Sequence, residues 1–206
     1  MYNICSSIYS NALHRCKTKN VGDFMCKRLD ELNGRSAEDI LKLSGQLNNV
    51  PVDLKKLVND IEIYAYPKTF DDIEKIEKKE VAGLVLIHKD DVGIFYDKNA
   101  TIENKRFIIA HEIGHCCLHG DTLRNGYIEF LHKDGYENTH EKEASIFASR
   151  LLIPKQPLVY IYNRLIVPSL SGLAEIFEVP EHLMKHRLQS LKLKYYIHER
   201  DVFVEP

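Results

Sequence analysis

Apolar positions along the 206 residues fall into runs of two different periods. From Gly22 to Leu32 the set Phe24, Met25, Leu29 and Leu32 fits a helix. Ser36, with Asp39 three residues on, has the spacing of a capped start, and Ile40, Leu41 and Leu43 give the short apolar face that follows. After Pro51, Leu54, Leu57, Val58 and Ile61 lie on one side of another helix. The period then changes. IEIYAYP at 61–67 alternates and predicts a strand, and VAGLVLIH at 81–88 predicts a buried one. A turn at Lys89, Asp90 and Asp91 leads into VGIFYD at 92–97, so the pair predicts a hairpin. The charged run DDIEKIEKKE at 71–80 reads as a solvated helical turn or loop.

Helical spacing returns from about Ile102 to Leu118. A stretch rich in Gly, Asp, Asn and His at 120–139 predicts a loop. A second long helix is expected from about His140 to Ile153, stopping before Pro154. Two short helices, 171–177 and 181–191, flank the turn Glu178-Val179-Pro180, and YYIHERDVFV at the end predicts a strand. The first 20 or so residues carry no strong pattern.

Composition adds little beyond exclusions. Hydrophobic residues make up 44% and charged residues 28%, ordinary for a globular chain of one domain with a small appendage. The net charge of −2 lacks the basic footprint of a dedicated nucleic-acid binder. The five cysteines, Cys5, Cys16, Cys26, Cys116 and Cys117, are odd in number and form no Cys-x-x-Cys pair, which predicts free thiols in a reducing compartment. The N-terminal stretch lacks the apolar run of a signal peptide, and VAGLVLI at 81–87 is too short to cross a membrane. A cytoplasmic protein with no membrane partner is expected.

The candidate chemistry lies in HEIGHCCLHG at 111–120. Histidines four apart on a helix share a face, about 6 Å apart along the axis, and two imidazoles at that spacing can converge on one metal ion. His111 with His115 and His115 with His119 both qualify. Glu112 decides between them. In H-E-x-x-H the glutamate lies about 100° around the helix from the first ligand, where it can reach a water beside the metal without binding the metal. Glu112 is therefore the candidate general base and His111 and His115 the candidate ligands, with His119 behind them or packed under the site. Gly114 between the histidines costs about 1 kcal/mol relative to Ala in a helix, which is explained if a substrate strand or another backbone approaches closely there.

A catalytic zinc site needs a third protein ligand and one open position. Asp121 stands six residues after His115, but Leu118 occupies the place where a glycine would turn the chain toward it. The later helix offers Glu141 and Glu143. Glu141 shares a stripe with Ala144 and Ala148, small residues that let two helices meet closely, and this favours Glu141. Asn138 and Glu141 also have capping-box spacing; if Glu141 only caps the helix, Glu143 becomes the ligand.

These residues resemble the ImmA/IrrE metallopeptidases. The similarity begins with PVDLKKLVNDIEI at 51–63 and runs through the two-strand segment and KRFIIAHEIGHCCLH at 105–119. It closes on E-x-x-A-x-x-F-A-x-x-L-L-x-P, here Glu141, Ala144, Phe147, Ala148, Leu151, Leu152 and Pro154. The resemblance implies zinc, or manganese, held by His111, His115 and Glu141, with Glu112 as catalytic base. It implies an endopeptidase acting on a protein substrate, a helix-turn-helix transcriptional repressor whose cleavage releases genes of stress response or mobile-element transfer. Ser145 stands where that family usually has Asn, and either can brace a ligand by hydrogen bonding. The expected fold is α+β of the zincin type, gluzincin-like: a small sheet packed on the H-E-x-x-H helix, with a C-terminal helical extension. The expected division is an N-terminal extension at 1–35, a metallopeptidase domain at 36–168 and a helix-turn-helix-like extension at 169–206.

The alternative to an enzyme is a metal-binding interaction module that sequesters a repressor or toxin without cutting it. Direct DNA binding through 171–191 is not expected, because the second helix offers little positive charge beyond Lys185 and Arg187. Tyr136, His132 and His140 are candidate oxyanion donors beside the site. His14, His88, His182, His186 and His198 carry no pattern.

Overall fold

A computed structural model describes residues 27–71, 80–88, 91–124, 130–132, 139–197 and 203–204. Three short helices come first: α1 (Lys27–Leu32), α2 (Ala37–Leu43) and α3 (Leu54–Asp60). Strands β1 (Tyr64–Lys68), β2 (Val81–His88) and β3 (Asp91–Asp97) precede the long helix α4 (Ile102–Leu118). The short helix α5 (Gly120–Arg124) and strand β4 (Phe130–His132) lead to α6 (Thr139–Leu152). Helices α7 (Lys155–Tyr162), α8 (Leu170–Phe177) and α9 (Glu181–Ser190) follow, then the strands β5 (Tyr195–Tyr196) and β6 (Phe203–Val204).

Local signals explain most of the starts and stops. Ser36 and Asp39 form a reciprocal capping box on α2, with Ser36 Oγ accepting from the Asp39 amide and the Asp39 carboxylate accepting from the Ser36 amide, both at 3.2 Å. A hydrogen bond donated by the Ser36 hydroxyl at 2.6 Å, and next the one from the Ser36 amide, hold the Asp39 carboxyl below its ordinary range. Asp53 caps α3 by accepting from the Lys56 amide, and Thr101 caps α4 by accepting from the Asn104 amide. Pro154 ends α6 and opens α7 at φ −60°.

The sheet has the order β1-β3-β2-β4. β2 and β3 form the expected antiparallel hairpin, with Leu84 opposite Phe95 and Val85 opposite Ile94. β1 adds to β3 in parallel, Tyr64 opposite Gly93. β4 pairs antiparallel with β2 across an irregularity between Val81 and Gly83. The face carrying Val85, Val92 and Ile94 joins the main core with Ile108 and Ile113 of α4. α4 therefore lies between the sheet and α6, and its middle is buried on every side.

α4 and α6 touch backbone to backbone. A Cβ at Gly114 would lie 3.0 Å from the Ala144 carbonyl oxygen and 3.1 Å from the Ala144 Cα. Ala144 and Ala148 are fully buried at this crossing. The C-terminal helices are tied to the same frame. Arg187 of α9 donates through Nε to the Ile153 carbonyl at 2.9 Å, just past the end of α6. Burial, and next the nearby Arg150 charge, depress the Arg187 guanidinium to about 10. Arg106 of α4 donates to the Glu178 carbonyl at 3.0 Å and to the Val52 carbonyl at 2.9 Å, joining the α8–α9 turn to the approach of α3.

The arrangement is the expected α+β fold with a small sheet on the motif helix and helices at the C-terminal side. Several local expectations need correction. Residues 155–162, given no element by sequence, form α7. The predicted loop at 120–139 contains α5 and β4 among its described residues. The terminal strand is two short strands, Tyr195 opposite Val204 and Tyr196 opposite Phe203. The charged run at 72–79, the N-terminal residues Phe24 and Met25, and Cys5, Cys16 and Cys26 lie outside the described residues.

Candidate metal centre

α4 presents His111, Glu112 and His115 from its buried middle, where their exposures are 0%, 0% and 1%. The two imidazoles face each other one helical turn apart, Nε2 to Nε2, at 2.9 Å. Across the Gly114–Ala144 crossing, Glu141 reaches in from the first turn of α6. Its Oε2 stands 3.1 Å from His111 Nε2 and its Oε1 3.3 Å from His115 Nε2. The ligand atoms of these three residues all lie within 4.8 Å of one another.

This geometry fits a metal ion. Donors on a tetrahedral ion with bonds of 2.0–2.1 Å stand about 3.3 Å apart. The measured separations of 2.9, 3.1 and 3.3 Å already lie near that value. The donor set, two imidazoles and one carboxylate, is one that catalytic zinc uses with a position left for water. Burial pushes the Glu141 carboxyl up, but the imidazoles of His111 and then His115 beside it outweigh burial and hold the group at about 2. Glu141 is thus an anion at any pH where a metal would bind.

The surroundings brace the three donors. Ser145, one turn along α6 from Glu141, stands 3.0 Å from His111 Nδ1, the bracing contact anticipated for that position. Phe107 packs edge-on against the His111 ring, with centroids 5.6 Å apart. His119 lies 3.0 Å from His115 by the two Nδ1 atoms and 3.0 Å from Glu143 by its Nε2. His140 stacks on His119 at 4.2 Å. Glu112 lies over β2 at Gly83, where a Cβ would come within 3.1 Å of its Oε1 and 2.4 Å of Ile108 Cγ2. The bare glycine gives the carboxylate room against the strand.

Of the sequence-predicted residues, His111, His115 and Glu141 converge, with Glu112 beside them. Glu143 turns to His119 and is not in the cluster. Asp121 lies in the first turn of α5 and is exposed. His140 stacks on His119. Tyr136 lies outside the described residues, and of His132 only the backbone is described, in β4. Gly83 and His182 were missed by sequence reading. His182 packs edge-on against Phe107 at 5.5 Å, and burial, then the His186 charge, lowers its pKa. Nothing in the local sequence of either residue marks it, because both matter only through contacts made across the fold.

Fold and site together give an α+β frame around three buried residues that could hold a metal ion. Residues 63–189, well over half of the chain, match the peptidase M78 family model, described as the IrrE N-terminal-like domain, and the chain belongs to that family. No curated protein matches the chain. Among the described residues no helix is long and apolar enough to cross a membrane.

Proposed function

We propose that this chain is a zinc-dependent endopeptidase, manganese being the other candidate metal, in which His111, His115 and Glu141 hold the ion and Glu112 is the general base. The convergence of three metal-competent donors from two helices within 4.8 Å carries this reading, with Glu112 next to the first of them. Zinc held there would supply Lewis acidity and bring the pKa of a water down to about 7. Glu112 takes the proton of the attacking water on its carboxylate and returns it to the departing amine nitrogen. His111 and His115 stay neutral and fixed in orientation through their Nδ1 contacts, and Glu141 contributes the single negative charge of the donor set.

The proposed substrate is a regulatory protein, a helix-turn-helix transcriptional repressor. Family membership and the sequence resemblance support this choice. The proposed working unit is the domain at 36–168, with 1–35 as an N-terminal extension and 169–206 packed on it as a C-terminal extension that makes no direct DNA contact. The cytoplasm is the proposed location, in keeping with the buried thiols of Cys116 and Cys117. The test is to incubate the zinc-loaded protein with candidate helix-turn-helix repressors and read fragments by mass spectrometry. Cleavage by the wild type but not by Glu112→Gln supports the reading; intact substrate with a fully metal-loaded wild type overturns it.

Complete burial of Glu112, at 0% exposure, favours a second reading: a metal-binding module that captures a repressor or toxin without cutting it. Such a module would bind its partner equally well with Glu112→Gln and release no fragments in either form.

A further inference from the structure

The second histidine of the motif is backed by a chain of contacts that determines where its proton sits. His119 is buried, 7% exposed, with Nε2 3.0 Å from Glu143 Oε2 and Nδ1 3.0 Å from His115 Nδ1. With Glu143 ionised and His119 neutral, the 3.0 Å contact is a hydrogen bond donated by His119 Nε2 to the Glu143 carboxylate. A neutral imidazole has one donor and one acceptor nitrogen, so His119 Nδ1 accepts. His115 Nδ1 must then be the donor. The lone pair of His115 is left on Nε2, the atom 2.9 Å from His111 Nε2 and 3.3 Å from Glu141 Oε1.

We propose that His119 and Glu143 are positioning residues for the metal site: a relay that locks His115 into the tautomer able to bind a metal. This rests on the metal reading given above. An isolated neutral histidine side chain prefers its proton on Nε2, the tautomer that cannot ligate through that atom. The relay reverses the preference before any metal arrives. At His111 the Nδ1 contact is the Ser145 hydroxyl, which both donates and accepts and so dictates neither tautomer. The stacked ring of His140 at 4.2 Å, tilted by 19°, holds the plane of His119 so that both of its nitrogens stay in line. Glu143, with half of its side chain exposed, closes the relay at the surface.

The experiment measures zinc affinity by chelator competition on the purified full chain, and the His115 tautomer by imidazole nitrogen NMR on the metal-free protein. Removing an outer partner of a ligating histidine costs roughly 10–100-fold in metal affinity. His119→Ala is expected to show that loss, and the His115 proton to leave Nδ1. His119→Asn keeps an acceptor near the position of Nδ1 and is expected to restore most of the affinity. Glu143→Ala, a change at an exposed carboxylate that leaves the fold intact, is expected to weaken zinc in the same direction. Wild-type affinity in both His119→Ala and Glu143→Ala, with His115→Ala impaired, overturns the relay and leaves the metal site standing. Wild-type affinity in His115→Ala overturns the metal reading itself.

Discussion

Gly114 of α4 lies against the backbone of Ala144 in α6, so close that a Cβ at 114 would stand 3.0 Å from the Ala144 carbonyl oxygen. This crossing places Glu141 within reach of two histidines on another helix. Gly114→Ala gains about 1 kcal/mol of helix propensity and loses about 1–3 kcal/mol to overpacking against backbone that cannot rotate away. The net is a destabilisation of at most about 2 kcal/mol. The metal-binding change is expected to be large, because α6 must shift and carry Glu141 with it. Thermal melting of the metal-free protein and zinc titration separate the two effects.

Glu112→Gln keeps the shape of the side chain and removes its ability to take a proton. Zinc binding should remain within a few-fold of wild type while turnover falls by roughly 10²–10⁴. Metal analysis and a cleavage assay on the same preparation check this. An unchanged cleavage rate would remove Glu112 from the base role.

Gly83→Ala addresses the same carboxylate from the strand side. The new methyl would approach Ile108 to 2.4 Å and the Glu112 oxygen to 3.1 Å, and Ile108 is branched next to the backbone and cannot swing clear. A destabilisation of about 1–3 kcal/mol is expected. Turnover should fall with little loss of zinc, since no ligand contacts Gly83. Denaturant unfolding and kinetics on zinc-loaded protein measure the two.

Metal binding should appear as stabilisation. At free zinc 100-fold above its Kd the folded state gains about 2.7 kcal/mol. For a chain of this size that corresponds to an upward shift in Tm of roughly 5–10 °C. A chelator should reverse the shift, and His111→Ala should abolish it. Scanning calorimetry at matched pH reads both.

Cys117 is fully buried, and desolvation, only partly opposed by the Arg35 charge, pushes its thiol up to about 12. The folded state therefore holds this proton more tightly than the unfolded chain, whose ordinary thiol value is 9.0. The sign follows directly. The contribution to stability is complete below pH 9 and is lost as pH rises from 9 toward 12. Native protein at pH 8 should leave Cys117 unalkylated by iodoacetamide, and unfolded protein should not; peptide mapping distinguishes them.

The motif helix, the hairpin and the long second helix were legible in the sequence because each combines a strong period with a marked end: Thr101 before α4, Pro154 after α6, and the polar turn between two apolar strands. That Glu141, not Glu143, meets His111 and His115 was legible through Ala144 and Ala148, whose small side chains signal close helix contact. Gly114 was read as admitting a close approach, and the approaching backbone is that of α6. Helix α7 was not legible because Pro157 interrupts the usual pattern and only Leu158 and Ile161 mark an apolar side. The parallel pairing of β1 with β3 and the place of Gly83 under Glu112 depend on contacts distant in sequence, which no local period records. The turn of Glu143 toward His119 was hidden for the same reason: it depends on how far α6 slides along α4.

Arg106 reaches two carbonyls, Glu178 and Val52, from one turn before His111. Shortening the chain before the α8–α9 turn would strip this guanidinium of one acceptor and of the Glu178 carboxylate 3.5 Å away, in a site where burial already disfavours its charge. The loss would be felt at the root of the helix that carries both histidines. The C-terminal helices thus act as a clamp on the helix that carries the two candidate ligands, and whatever pries them loose loosens the frame of the proposed metal site as well.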